Sequence, residues 1–129
     1  MSVKTEFIEF AEYLADVGGD IARKYFRKDF NGELEKDDNS PVTIADVEIE
    51  EFIREELKAK YPEHSIFGEE YGNLKGNSPY KWFIDPIDGT TSFIIGKPTF
   101  TNLIALTYNN EPIVTIVNQP ISCERWLAV

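Results

Sequence analysis

The order of apolar and polar positions divides the chain into a helical first part and a stranded second part. Phe7, Phe10, Ala11, Leu14, Val17, Ile21, Ala22 and Tyr25 recur at helical spacing, which predicts one long amphipathic helix over residues 4–28. Gly18-Gly19 inside that pattern weakens a helix, so close packing against another element is expected there. Residues 30–41 are polar and rich in turn formers, which predicts a loop. A second helix is expected over residues 44–60, with Ile49, Phe52, Ile53 and Leu57 as its apolar stripe. Thr43 is placed to cap it, with Asp46 three residues on as in a capping box, and Tyr61-Pro62 to end it.

Beyond Pro62 the pattern shortens to strands. Ser65-Ile-Phe67 runs into Gly68-Glu69-Glu70, and a loop is expected from Gly72 to Pro79. Tyr80-Lys-Trp-Phe-Ile84 then leads into a turn at Asp85. Asn102–Tyr108 and Pro112–Val117 flank Asn109-Asn-Glu111 and read as a hairpin, and Glu124–Val129 begins another strand. Two helices followed by strands of this kind predict an α+β architecture, with the helices packed on a mainly antiparallel sheet. The whole of residues 1–129 is expected to be one domain. The stop at Val129, inside an apolar strand, suggests a fragment of a longer protein.

Composition narrows the functions available. The 42% hydrophobic and 28% charged content is that of an ordinary globular protein, and no run of about 18 apolar residues exists to span a membrane. The formal net charge of −10 repels polyanions, and the densest basic stretch, Arg23 to Lys28, has acidic neighbours, so nucleic-acid binding is not expected. A single cysteine, Cys123, excludes an internal disulfide framework and suits a reducing cytosol, so a cytoplasmic protein is expected. With so many carboxylates, a phosphate-bearing substrate would need a cation to offset its charge.

One segment concentrates the groups for that. In Asp85-Pro-Ile-Asp-Gly-Thr90 two carboxylates lie three residues apart, Pro86 stiffens the turn between them, and Gly89 lets the backbone approach a ligand closely. Thr90-Thr-Ser-Phe93 is positioned to open a short helix, whose first amides face outward and suit an anion. Hard carboxylate and carbonyl oxygens suit Mg²⁺, which keeps waters and holds phosphate oxygens. Asp-Pro and Asp-Gly are each common turn pairs. The five fixed residues together would arise by chance in a chain of this size roughly once in 10⁴ to 10⁵, which favours function over a plain turn.

Trp82-x-x-Asp85-Pro-x-Asp88-Gly-Thr90, preceded by Gly68-Glu-Glu70 and by Pro41-Val-Thr-Ile-Ala-Asp46, resembles the inositol monophosphatase superfamily in motif, order and spacing, over essentially the whole chain. Three stretches are similar to its histidinol-phosphatase branch: Asp38–Asp46, Ser92–Pro98 and Asn118–Trp126. The resemblance implies the N-terminal half of a layered sugar-phosphatase-type fold. It implies Mg²⁺ as cofactor, two or three ions in a complete site with Mn²⁺ a possible substitute, and a small phosphorylated metabolite as substrate. Glu69, Asp85 and Asp88 would bind metal, and Ile87 would offer its carbonyl. Gly89 and Thr90 would donate amides to phosphate, and Thr90 with Asp46 would orient and deprotonate the attacking water. The reaction implied is hydrolysis of L-histidinol phosphate to L-histidinol and phosphate. An inositol-1-phosphate or broad sugar-phosphate phosphatase is the alternative on the same scaffold, and a non-catalytic metal-binding module the alternative of another class.

Members of the superfamily are about twice this length, and their second half supplies a further metal-binding aspartate in a Trp-Asp-x-Ala-like motif. Here neither Trp82 nor Trp126 is followed by Asp. An uncovered apolar face, and with it self-association into a homo-oligomer such as a dimer, is therefore expected. Asp46 also has a plain reading as a helix-start residue, and Glu69 and Glu70 as solvated acids. Glu70 is expected beside the ligands rather than among them. His64 is expected at a strand start without a role, Cys123 as a small buried hydrophobe, and Trp82 and Phe83 in the core.

Overall fold

The computed structural model describes residues 3–28 and 41–129. Helix α1 spans Thr5–Tyr25 and α2 spans Pro41–Lys60. Strands β1 (Ser65–Gly68), β2 (Gly72–Leu74) and β3 (Tyr80–Asp88) follow, then the short helix α3 (Thr90–Ile94), then β4 (Thr101–Tyr108), β5 (Glu111–Gln119) and β6 (Glu124–Ala128). The strands form one sheet in the order β2-β1-β3-β4-β5-β6. The β1–β3 pair is parallel, and the other described pairs are antiparallel. The α+β expectation holds.

Strand alternation sorts the side chains onto two faces. Ile66, Trp82, Leu106 and Val114 lie in one cross-strand row, and Ile84, Ile104 and Ile116 in the next. All are buried, together with Phe7, Ala11, Leu14 and Ala22 of α1 and Ala45, Ile49, Ile53 and Leu57 of α2, in a single core. The opposite face is open. Phe67, Phe83, Leu103, Ala105, Val117 and Trp126 stand on it, and Phe67, Phe83 and Trp126 are exposed. Phe83 is thus not in the core as expected, because it alternates with its buried neighbours Trp82 and Ile84.

Gly18 and Gly19 do mark a close approach. A Cβ on Gly19 would lie 3.0 Å from Asn118 Nδ2 and 3.1 Å from Pro120 Cβ. The two-residue connection of β4 to β5 places both Asn109 (φ 50°) and Asn110 (φ 69°) in the left-handed region, as a type I′ hairpin turn requires.

Four further expectations need correction. Helix α1 ends at Tyr25 rather than near residue 28, because Phe26 turns into extended conformation and packs on Phe93 and Phe100. Helix α2 begins at Pro41, which suits the first helical position, so Thr43 is already inside the helix and cannot cap it. The loop expected from Gly72 contains β2, which pairs with β1 through Leu74, Asn73 and Gly72. Cys123 is exposed in the β5–β6 connection with φ 60°, where no sheet neighbour covers it. The rest of the loop expected over residues 30–41 lies outside the described residues.

Candidate metal and phosphate site

Because β1 and β3 run parallel, their C-terminal ends leave the sheet side by side. β1 delivers Gly68-Glu69-Glu70 there, and β3 delivers Asp85 through Asp88. Helix α2 brings Asp46 to the same place. The result is a hollow of about 220 Å³ lined by Asp46, Glu69, Glu70, Asp85, Ile87, Asp88, Gly89 and Thr90. All seven residues singled out in the sequence meet in it, with Glu70 beside them.

The Asp85–Asp88 segment is shaped by a bulge. Asp85 pairs with Leu103 and Asp88 with Thr101, so Pro86 and Ile87 together oppose the single residue Asn102. Pro86 has no amide to give the ladder. Its carbonyl is instead satisfied by the buried Asn102 side chain, whose Nδ2 donates at 2.6 Å. Asn102 Oδ1 in turn accepts Asn118 Nδ2 at 3.0 Å, and Arg125 Nε donates to Asn118 Oδ1 at 3.0 Å. The strand can therefore depart from its ladder at Pro86 without leaving that carbonyl unpaired. Gly89 follows with φ 93°, and a Cβ there would lie 3.2 Å from Phe100 Cα, so both conformation and space select glycine. Helix α3 then opens at Thr90 as expected.

Asn102 had no sequence signal, since a lone Asn in an apolar strand suggests nothing. Glu50 was missed as well. It is fully buried and paired with Arg54, and it accepts backbone amides from the turn after β1. Its four-residue spacing from Asp46 and from Arg54 was a usable signal, because those positions share one helix face.

The carboxylates crowd one another. Burial, and then the charges of Glu70, Asp85, Glu50 and Glu69, push the Asp46 carboxyl up to about 8. Burial, and then Glu69, Asp88, Glu70 and Glu50, push Asp85 up to about 6. Glu70 is also raised, by burial first and by Glu50 and Glu69 after it. Asp46 Oδ1 is buried with no hydrogen-bond partner.

An unpartnered buried oxygen among mutually repelling acids is an arrangement that a cation relieves. The donors are carboxylates and a carbonyl, which fit a hard ion such as Mg²⁺. Among the described residues no group of three acidic, histidine or cysteine side chains is placed to hold an ion by itself, so waters would have to complete the shell of any ion bound here. His64 is elsewhere: its Nδ1 accepts Trp82 Nε1–H at 3.0 Å and its ring stacks on Tyr61. A larger hollow of about 450 Å³ lies between α1 and the β5–β6 connection, but its charges are already paired as Arg23–Asp20 and Arg125–Asp16.

A pH dependence follows. A carboxyl whose pKa is raised by folding binds more protons folded than unfolded, so stability is lost as pH rises through the folded value. The melting temperature of the metal-free chain is expected to fall from the ordinary carboxylate value of 3.8 up to about pH 8, more steeply below about pH 6, where Asp85 and Asp46 both contribute, than above it, where Asp46 alone does. A bound cation favours the ionised forms, so Mg²⁺ or Mn²⁺ binding at neutral pH should release protons. Calorimetry in buffers of different ionisation enthalpy measures that release, and buffer-independent heats would contradict it.

The Inositol monophosphatase family matches residues 3–129, and the chain belongs to that family. It is 48% identical to the bifunctional phosphatase IMPL2, chloroplastic, of Arabidopsis thaliana over 130 residues, covering 97% of this chain and 37% of that protein. It is 36% identical to a histidinol-phosphatase of Chlorobaculum parvum over 124 residues, covering 96% of this chain and 48% of that one. An inositol monophosphatase structure from Zymomonas mobilis superposes with a TM-score of 0.85 at 43% identity, covering all of this chain and 49% of the other. The chain thus spans half or less of the length of these relatives. None of the described helices is long and apolar enough to cross a membrane.

Proposed function

We propose that this site belongs to a Mg²⁺-dependent phosphatase that hydrolyses a small phosphomonoester, with L-histidinol phosphate as substrate and L-histidinol and phosphate as products. The observation that carries the reading is the convergence of five carboxylates, the Ile87 position and the Gly89-Thr90 start of α3 on one hollow. Glu69, Asp85, Asp88 and the Ile87 carbonyl would hold the cation. When bound, Mg²⁺ supplies positive charge that acidifies water and offsets the phosphoryl group. The Gly89 and Thr90 amides, at the start of a helix, orient the phosphate oxygens. Thr90 would pass a proton from the attacking water toward Asp46, which accepts it in its ionised form, the form that a bound cation favours. The resemblance to a histidinol-phosphatase supports the substrate. This reading takes the chain to be the N-terminal, metal- and phosphate-binding domain of such an enzyme, cytoplasmic, and self-associating as a dimer through its open apolar face.

Phosphate release from L-histidinol phosphate and from inositol 1-phosphate, each with Mg²⁺, tests the proposal. Turnover of the first at a kcat/KM at least about tenfold higher than the second is expected. The reverse ratio would point to an inositol-phosphate enzyme. Metal binding with no release from either would favour a second reading, a non-catalytic cation-binding module.

A further inference from the structure

Glu50 is an acid that solvent does not reach. It lies one helical turn beyond Asp46 on α2 and faces the turn between β1 and β2. Its Oε1 accepts the Glu70 amide at 2.9 Å, and its Oε2 accepts the Tyr71 amide at 3.0 Å. Arg54 donates Nε to the same Oε2 at 2.9 Å, and another of its nitrogens to the Gly72 carbonyl. The pair therefore binds backbone groups of three successive residues. On the other side of Glu69, a Cβ on Gly68 would run into the Glu50 carboxylate, so only glycine lets the strand end close against it.

A buried ion pair contributes little net stability, because desolvation offsets the attraction, and apolar side chains of similar volume serve as well. An apolar pair could fill this space between helix and sheet. It could not accept two adjacent amides and donate to the next carbonyl. The residue bracketed by these contacts is Glu69, which lines the acidic hollow, whereas neither Glu50 nor Arg54 lines it.

We infer that Glu50, with Arg54, is a positioning residue of the cation site: it fixes the Gly68–Tyr71 turn and so presents the Glu69 carboxylate to the ion. The inference rests on the proposed reading of Glu69 as a ligand. Its test uses Mn²⁺ as the probe and calorimetry on the full chain, with amide exchange at Glu70 and Tyr71 and the melting temperature read on the same samples.

Glu50→Gln keeps the shape but turns one acceptor into a donor and removes the charge that Arg54 meets. Mn²⁺ affinity is expected to weaken by about 10–100-fold, the range for residues that orient a metal ligand, with faster exchange at Glu70 and Tyr71 and protected amides in β3 and β4. Arg54→Lys keeps the charge and loses the two-pronged contact, and about tenfold weakening is expected of it. It decides the matter alone if Glu50→Gln does not fold. Unchanged Mn²⁺ affinity in a folded variant overturns the inference, whatever its melting temperature. A wild-type chain that binds no Mn²⁺ overturns the reading of the site itself. Binding lost in Asp85→Asn but kept in Glu50→Gln overturns only the positioning role.

Discussion

Asp85→Asn removes divalent-cation binding from this chain, with Mn²⁺ affinity falling by more than about 100-fold, beyond the range for residues that only orient a ligand. Asp85 is a half-buried acid lining the hollow, at the last regular ladder position of β3 before the bulge. Asparagine replaces one hard anionic oxygen by an amide group that donates, which is the wrong polarity for a cation. The same change has an opposite effect on the metal-free protein. Asp85 is among the charges that raise Asp46, so its removal relieves repulsion in the cluster. The metal-free melting temperature near neutral pH is therefore expected to rise while cation affinity collapses. A residue that served only the fold would lower both. Thermal melts with and without Mn²⁺, beside calorimetric titration, separate these outcomes, and retained affinity in the variant would remove Asp85 from the ligand set.

Trp82→Ala has the largest expected effect on stability, a loss of about 3–5 kcal/mol. The indole is completely buried near the start of β3, between the sheet and the helices. Its removal leaves a cavity, and it also strips His64 Nδ1 of the donor it accepts at 3.0 Å. Trp82→Phe retains most of the apolar volume and loses the hydrogen bond, so about 1–3 kcal/mol is expected from the unpaired nitrogen. Urea unfolding of the three proteins measures both. A loss below about 1 kcal/mol for the alanine variant would mean that the helices do not depend on this contact.

Much of this architecture was legible because it rests on local periodicity. The Phe7–Ala22 spacing gives α1, the Ile49–Leu57 stripe gives α2, and the alternation in residues 102–117 gives the central hairpin. The site was legible for another reason: Asp85, Asp88, Gly89 and Thr90 are contiguous, so one segment carries most of the chemistry. What escaped was non-local. Strand β2 has three residues and no periodicity, and it forms because β1 offers it a partner. Glu50 and Asn102 look like a surface acid and a misplaced polar residue until folding sets each beside a backbone group that needs it. The start of α2 at Pro41 was missed because Thr43 and Asp46 match a capping pattern as well as they match a helix interior. That correction also affects the site. With the helix beginning earlier, Asp46 is freed from a cap and aimed at the acidic hollow.

The sequence holds two tryptophans, and the two faces of the sheet take one each. Trp82 is sealed in the core against a neutral imidazole acceptor, and Trp126 stands more than half exposed on the open side. The chain therefore carries a pair of optical probes that look in opposite directions. Quenching by iodide or acrylamide reads the bare face through Trp126, and any molecule that covers that face silences the quenching. Trp82 reads the core, and through it His64, whose pKa is lowered chiefly by burial. Acidification that protonates the imidazole must break the indole hydrogen bond and change the emission of Trp82 alone. Occupancy of the open face and integrity of the core can thus be followed separately, in one cuvette and without a label.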